Sequence, residues 1–361
     1  MTLKQKTKIA YWVWNCCAIV AVAAVVVSHI PSVASKFTEE KEFYGDLFTL
    51  NKVSLFKQPI ERKLQQGKTG LEEAKVIALG DSFFNVAYEA PKFAYGFERK
   101  TKIPTYHVAR DMRYLYSPSR FFQDNPTAKP RILLWENVER EIVGYHLLRT
   151  GRGQQEGTDT CVPARLSKVP GYKAIEQACQ LVFNPKPTVF LVENTSFTRP
   201  FFEQLYTKRF WLTGDISPRT PEYSVEPAMA FYDVELRQAR YPLTDEDVTR
   251  IADWIQKEVE TIRNTYDIET IYIPLPSKYT VYRQYAADDT YNNLLPRLIP
   301  ELQRRGVRTI DALSLFEQYT KTHNELLYYP SDTHWNPTAQ HIIIDEVVRI
   351  LEEEKFVQKK K

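Results

Sequence analysis

Cysteine is scarce in this chain, with four among 361 residues, and no Cys-x-x-Cys pair occurs. The six histidines form no ligand-spaced cluster, so a structural zinc is not expected. An excess of charge of one sign is also lacking. Lys and Arg number 48 against 45 Asp and Glu, a formal net charge of +3. With no long basic stripe outside the two termini, this balance argues against a general nucleic-acid binder. Internal repeats are absent as well. What the chain does have is apolar mass: at 43% hydrophobic and 13% aromatic it can bury one large core or two small ones. Aromatics suit carbohydrate-facing clefts, but a well-packed core with amphipathic rims is the commoner use.

The amino terminus carries the clearest compositional signal. Lys4, Lys6 and Lys8 precede an uncharged run from Ile9 to Ile30, about long enough to cross a bilayer as a helix. The basic side stays cytoplasmic, which exports the rest. A signal peptide cleaved near Val33-Ala34-Ser35 is the competing reading, but the run exceeds the usual apolar region of such peptides. We therefore expect residues 1–35 to be an uncleaved anchor in the inner membrane. Cys16 and Cys17 read as apolar filler or an occasional lipidation site. Cys161 and Cys179 fall in the exported part, where a loop-closing disulfide would contribute about 2–4 kcal/mol.

Val76-Ile77-Ala78-Leu79-Gly80-Asp81-Ser82 is a short apolar run closing in Gly-Asp-Ser. It reads as a buried strand of a parallel sheet that delivers a serine to the sheet's carboxyl edge, where such folds place their sites. A serine hydroxyl needs a base within hydrogen-bond reach, itself oriented by a third group. Asp332-Thr333-His334, just before the last helix, supplies both: on an extended or turn segment the carboxylate meets Nδ1 and leaves Nε2 facing Ser82. Gly-Asp-Ser alone is a common strand-to-turn junction, and a lone Asp-x-His is more often an ordinary loop pair. Together they support each other as a Ser82, His334, Asp332 triad.

Gly80-Asp81-Ser82-Phe83 followed by Asp332-Thr333-His334-Trp335 resembles the SGNH hydrolase-like proteins of the alginate O-acetyltransferase AlgX/AlgJ family. Leu134-Trp135-Glu136-Asn137-Val138-Glu139-Arg140 and the stretch from Ile273 to Tyr282 fit the same resemblance, so the four blocks cover nearly all of the exported part. It implies an α/β fold, a three-layer SGNH-like (flavodoxin-like) parallel sheet. It also implies an O-acetyltransferase acting on a polysaccharide acceptor, with no cofactor of its own and a multi-spanning membrane acyltransferase as acetyl donor. One departure stands out: in the AlgX arrangement Asp-x-His precedes the serine, whereas here the serine comes first, as in ordinary SGNH enzymes. The resemblance makes Asn137 a candidate for the superfamily's usual Asn, and Glu139 and Arg140 braces of the catalytic loop or substrate contacts. Asp81 is a neighbour of the nucleophile. Arg110, by backbone or side chain, is a guess for the second oxyanion donor, because the glycine usual there is missing. Lys278, Tyr282 and Trp335 are candidates for touching the acceptor. An esterase using the same triad, an idle glycan-binding fold and an envelope scaffold remain the alternatives.

In chain order, residues 36–70 read as a connecting helical segment and 71–361 as the catalytic domain. Strands are expected over Pro104–Ala109, Arg131–Trp135, Ile268–Pro274 and Thr309–Ala312. Residues 151–242 read as an irregular insertion or small lid, with a helix over Tyr172–Leu181 and a strand over Thr188–Val192. A capping-box start at Thr244 and Asp247 opens a helix to about Tyr266. Another helix is expected over Tyr291–Arg305. Asn336 and Pro337 open the last helix.

Overall fold

The computed structural model describes residues 12–13, 15, 23, 27–28, 31–38, 43–62, 69–152 and 186–353. The chain divides into two compact units, Met1–Lys41 with Gln154–Thr213, and Glu42–Gly153 with Gly214–Lys361.

The first unit contributes helices Pro31–Thr38, Lys186–Asn194 and Arg199–Thr213, with Ser28 Oγ 2.9 Å from Thr188 Oγ1. The strand expected over Thr188–Val192 is helix instead; a short apolar run does not distinguish the two. Among the described residues no helix is long and apolar enough to cross a membrane, and most of Ile9–Ile30 lies outside them. Cys161, Cys179 and the helix expected over Tyr172–Leu181 lie outside them too.

The second unit is mixed α/β. Its parallel sheet comprises β1 (Val76–Leu79), β2 (Thr105–His107), β3 (Ile132–Val138) and β6 (Glu269–Leu275), in the order β2-β1-β3-β6. A single parallel bridge, Tyr272 to Thr309, stands where a fifth strand was expected. Every residue of β1 and β3 is buried, as expected of strands covered on both faces. Side-chain alternation splits them between two cores: Val76, Ala78, Ile132, Leu134, Ile271 and Ile273 on one face, Ile77, Leu79, Leu133, Trp135 and Tyr272 on the other. The first core packs α3 (Phe93–Thr101), α9 (Ala312–Thr322) and α10 (Pro337–Glu353); the second packs α4 (Glu139–Arg149) and α6 (Asp245–Tyr266). The remaining labelled helices are α1 (Asp46–Asn51), α2 (Ser82–Asn85), α5 (Asp233–Arg240), α7 (Lys278–Tyr282) and α8 (Leu294–Arg304).

Local signals act as the sequence suggests. Thr244 caps α6 in a full capping box with Asp247. Asn336 Oδ1 accepts the Ala339 N–H at 3.1 Å at the start of α10, after which Pro337 fits the first turn.

The second unit takes in Glu42–Gly153 and everything from Gly214. The hairpin of β4 (Glu222–Val225) and β5 (Ala228–Phe231) is thus part of the unit that holds the site, as is α5. Ala230 N donates to Pro330 O at 3.1 Å, tying β5 to the loop before Asp332.

Candidate active site

β1 ends at Leu79, and Gly80-Asp81 turns the chain into α2, whose first residue is Ser82. Asp81 is the N-cap, its Oδ1 accepting from Phe83 N at 2.8 Å. Its backbone N–H donates to Glu136 Oε2 at 2.8 Å, and its Oδ2 accepts from Val138 N at 3.3 Å. The approach is so close that a Cβ on Gly80 would meet Glu136 Oε2 at 2.4 Å; glycine is needed here for space. Burial, then repulsion from Asp81, pushes the Glu136 carboxyl well above its ordinary value. Glu136 and Asn137, expected after the third strand, are its penultimate residues, because β3 runs on to Val138.

Asn85, on α2, binds the serine turn to the loop after β2. Its Nδ2 donates to Gly80 O at 3.2 Å and Asp81 O at 2.5 Å. Its Oδ1 accepts the Arg110 N–H at 3.2 Å and lies 2.8 Å from His107 Nε2. Burial, then Lys92, holds His107 down to about 4, so the neutral ring donates to Asn85. The Arg110 amide, expected as an oxyanion donor, is therefore engaged with a side chain. Its guanidinium is half exposed and lies 3.7 Å from Glu141.

The candidate base, His334, comes from the loop Tyr328–Trp335, which closes on itself through a Tyr328–Trp335 bridge and a Tyr329 N to His334 O bond of 3.3 Å. Asp332 is fully buried. Its Oδ1 lies 2.5 Å from His334 Nδ1 and accepts His334 N at 2.8 Å, while its Oδ2 accepts Asp46 N at 2.8 Å. His334 packs its ring on Phe83, the residue after Ser82, at 5.1 Å and against Tyr88 at 5.8 Å. Burial opposes charge on the imidazole, but Asp332, by charge and hydrogen bond, then Asp46 outweigh it, and His334 is raised above its ordinary value. The same partnership outweighs burial at Asp332 and lowers it. Nε2 of His334 is buried and has no hydrogen-bond partner among the described residues. An imidazole fixed at Nδ1 by a carboxylate, with Nε2 unpartnered among the described residues and its ring packed on the residue after Ser82, is able to act as a general base.

The other sequence candidates mostly support this loop. Lys278 was expected to reach the acceptor; instead it is fully buried. Its three N–H bonds go to the carbonyls of Tyr329, Pro330 and Asp332 at 3.2, 3.1 and 2.9 Å, leaving none for substrate. Tyr282 accepts the Leu327 N–H at 2.7 Å and is 3% exposed. Trp335 is buried, edge-on to Phe83 and stacked near Phe93. These two brace the core where acceptor contacts were expected. Glu139 accepts from Ser277 N, Thr280 Oγ1 and Tyr291 OH, joining α4 to the segment after β6. Arg140 pairs with buried Glu235 at 2.7 Å and lies over the Phe83 ring. Asn137 is buried, with Nδ2 3.5 Å from Leu115 O and Oδ1 without a partner among the described residues.

Asp46, Asp332 and His334 bring possible ligand atoms within 4.8 Å of one another. Asp332 Oδ1 is on His334 Nδ1, and both Asp46 oxygens accept from Thr333. The cluster is knit by its own hydrogen bonds, as a triad is. Sequence reasoning missed Asp46, Asn85 and Glu235.

Residues 231–361 match the model of a family described as SGNH hydrolase-like domain, acetyltransferase AlgX. The matched stretch contains Asp332 and His334, while Ser82 precedes it. No curated protein and no solved structure matches the chain.

Proposed function

We propose that this chain, with its AlgX-type domain, is an extracytoplasmic O-acetyltransferase that carries an acetyl group on Ser82 to hydroxyls of a polysaccharide. His334 Nε2 takes the Ser82 proton as Oγ attacks the acetyl carbonyl of the donor, then returns it to the leaving group. The acceptor hydroxyl next gives its proton to Nε2 and attacks the Ser82 ester; the C–Oγ bond breaks and Oγ recovers the proton. Asp332 holds the imidazole tautomer throughout. Because Asp81 takes the Phe83 N–H, the Ser82 N–H is the oxyanion donor at this turn. The Ile9–Ile30 run anchors the chain in the inner membrane, with the catalytic unit outside and a multi-spanning acyltransferase supplying acetyl groups.

The observation that carries this reading is the buried imidazole, bonded to Asp332 at Nδ1 and open at Nε2, packed on the residue after Ser82. The test follows acetate release from a chromogenic acetyl ester by the full chain and by Ser82→Ala, with and without oligosaccharides. Ser82-dependent turnover that yields acetylated sugar is expected, and the substitution should cost on the order of 10³-fold or more. Ser82-dependent acetate release that no sugar diverts makes the enzyme an esterase; turnover indifferent to the substitution removes Ser82 as nucleophile.

A further inference from the structure

The segment preceding the first strand reaches into the triad. Phe43 bridges Ile60, and Leu47 and Phe48 are fully buried, which seats α1 against the Asp332 loop. Five hydrogen bonds join them. Asp46 N donates to Asp332 Oδ2 at 2.8 Å. Thr333 donates its N–H to Asp46 Oδ1 at 2.8 Å and its hydroxyl to Oδ2 at 2.7 Å. Phe48 N donates to Ser331 O at 3.1 Å, and Ser331 Oγ donates to Tyr44 O. Gly45, at φ +95°, permits the approach: a Cβ there would lie 2.2 Å from Ser331 O, and that φ suits glycine alone. Asp46 Oδ2 ends 3.9 Å from His334 Nδ1.

We propose that Asp46 is a positioning residue of the triad: the segment Tyr44–Phe48 clasps the Asp332–His334 loop, and the Asp46 carboxylate is a second negative group that steadies the His334 imidazolium. An ordinary triad has one carboxylate for this purpose; here the second arrives on the stretch that leads in from the amino terminus. Among the described residues, Asp332, Asp46 and Arg140 act on His334 and Tyr88 packs against its ring; the two aspartates favour its charged form and Arg140 opposes it. Partial burial, then Asp332, raises Asp46 above its ordinary value, while His334 and the two Thr333 hydrogen bonds draw it back. Its side chain keeps 40% of its surface exposed, so water reaches it. The catalytic consequence rests on the acyl-transfer reading; the geometry of the clasp does not.

The test is Asp46→Asn in the full chain with ¹³C-labelled histidine, following the His334 titration by NMR. Asparagine still accepts the Thr333 N–H and can donate to Thr333 Oγ1, so the hydrogen bonds stay while the charge goes. His334 is expected to titrate lower by roughly half to one pH unit, screening by water keeping the shift modest. The acid limb of kcat/KM should move with it. Asp46→Ser, which keeps a hydroxyl acceptor without charge, must shift the titration the same way and serves if the asparagine variant folds poorly. A purely structural Asp46 leaves the titration unmoved and overturns the proposal. Because the titration needs no turnover, an inactive native protein with an Asp46-dependent His334 would refute the Ser82 chemistry and keep the clasp. An active protein with an unmoved titration would do the reverse.

Discussion

Replacing Lys278 by Met separates what its charge does for stability from what it does for the site. The ammonium holds the carbonyls of Tyr329, Pro330 and Asp332. Two of these have a second donor, Asp332 N on Tyr329 O at 3.3 Å and Ala230 N on Pro330 O at 3.1 Å. Methionine, of similar length, therefore orphans only the Asp332 carbonyl, costing about 1–3 kcal/mol. In the opposite direction, burial pushes Lys278 down to about 8 from 10.5, despite Glu235, Asp46 and Asp332 nearby. That penalty is worth about 3 kcal/mol and disappears with the charge. The two nearly cancel, so Lys278→Met should change unfolding free energy by no more than about 2 kcal/mol in either direction, a Tm shift of at most about 8 °C. Activity should respond very differently. The ammonium is the central tether of the loop that carries Asp332 and His334, and a displacement of about 1 Å in a catalytic group costs on the order of 10²-fold. Thermal unfolding beside chromogenic acetyl-ester turnover measures both. A loss of more than about 4 kcal/mol would mean that the buried charge is itself stabilising, and unchanged kcat would mean that the loop keeps its shape unaided; either result refutes the reasoning.

Arg140→Met removes the partner of fully buried Glu235 and should destabilise by about 3–5 kcal/mol in urea unfolding, because it strands a buried charge; the double variant Arg140→Met with Glu235→Met should recover most of that. The base must be neutral to act, so with His334 raised by Asp332 and Asp46 the acid limb of kcat/KM should lie above the ordinary histidine value of about 6.5. The same sign makes the stability contributed by His334 full below about pH 6.5 and lost as pH rises through the raised value; a limb below that value, read from a pH series on the acetyl ester, would contradict the pairing.

The features legible in the sequence were those written in adjacent residues. β1 and its Gly-Asp-Ser turn, the Asp-x-His loop, the Thr244 and Asp247 capping box and the Asn336-Pro337 helix start all rest on contacts a few positions apart. What stayed hidden depends on partners far along the chain. Nothing near Asp46 announces that it meets Asp332 and Thr333, 286 and 287 residues away. Lys278 was read as a candidate acceptor contact because loops at strand ends host ligands; only the fold shows three carbonyls around it. Arg110 was assigned on the position of its loop after β2, correctly placed, but the claim of Asn85 on its amide has no spacing signal. Short apolar stretches misled in the expected way, as the helical Lys186–Asn194 illustrates.

The clasp between Tyr44–Phe48 and Ser331–Thr333 also sets an order in time. The amino-terminal half of the contact is made early and must wait for its partner through more than 280 residues of chain. At about 5–20 residues per second that is a wait of tens of seconds during synthesis. Ser82 is likewise present long before His334, its proposed base. On the acyl-transfer reading, that chemistry waits for the Asp332–His334 loop to be made.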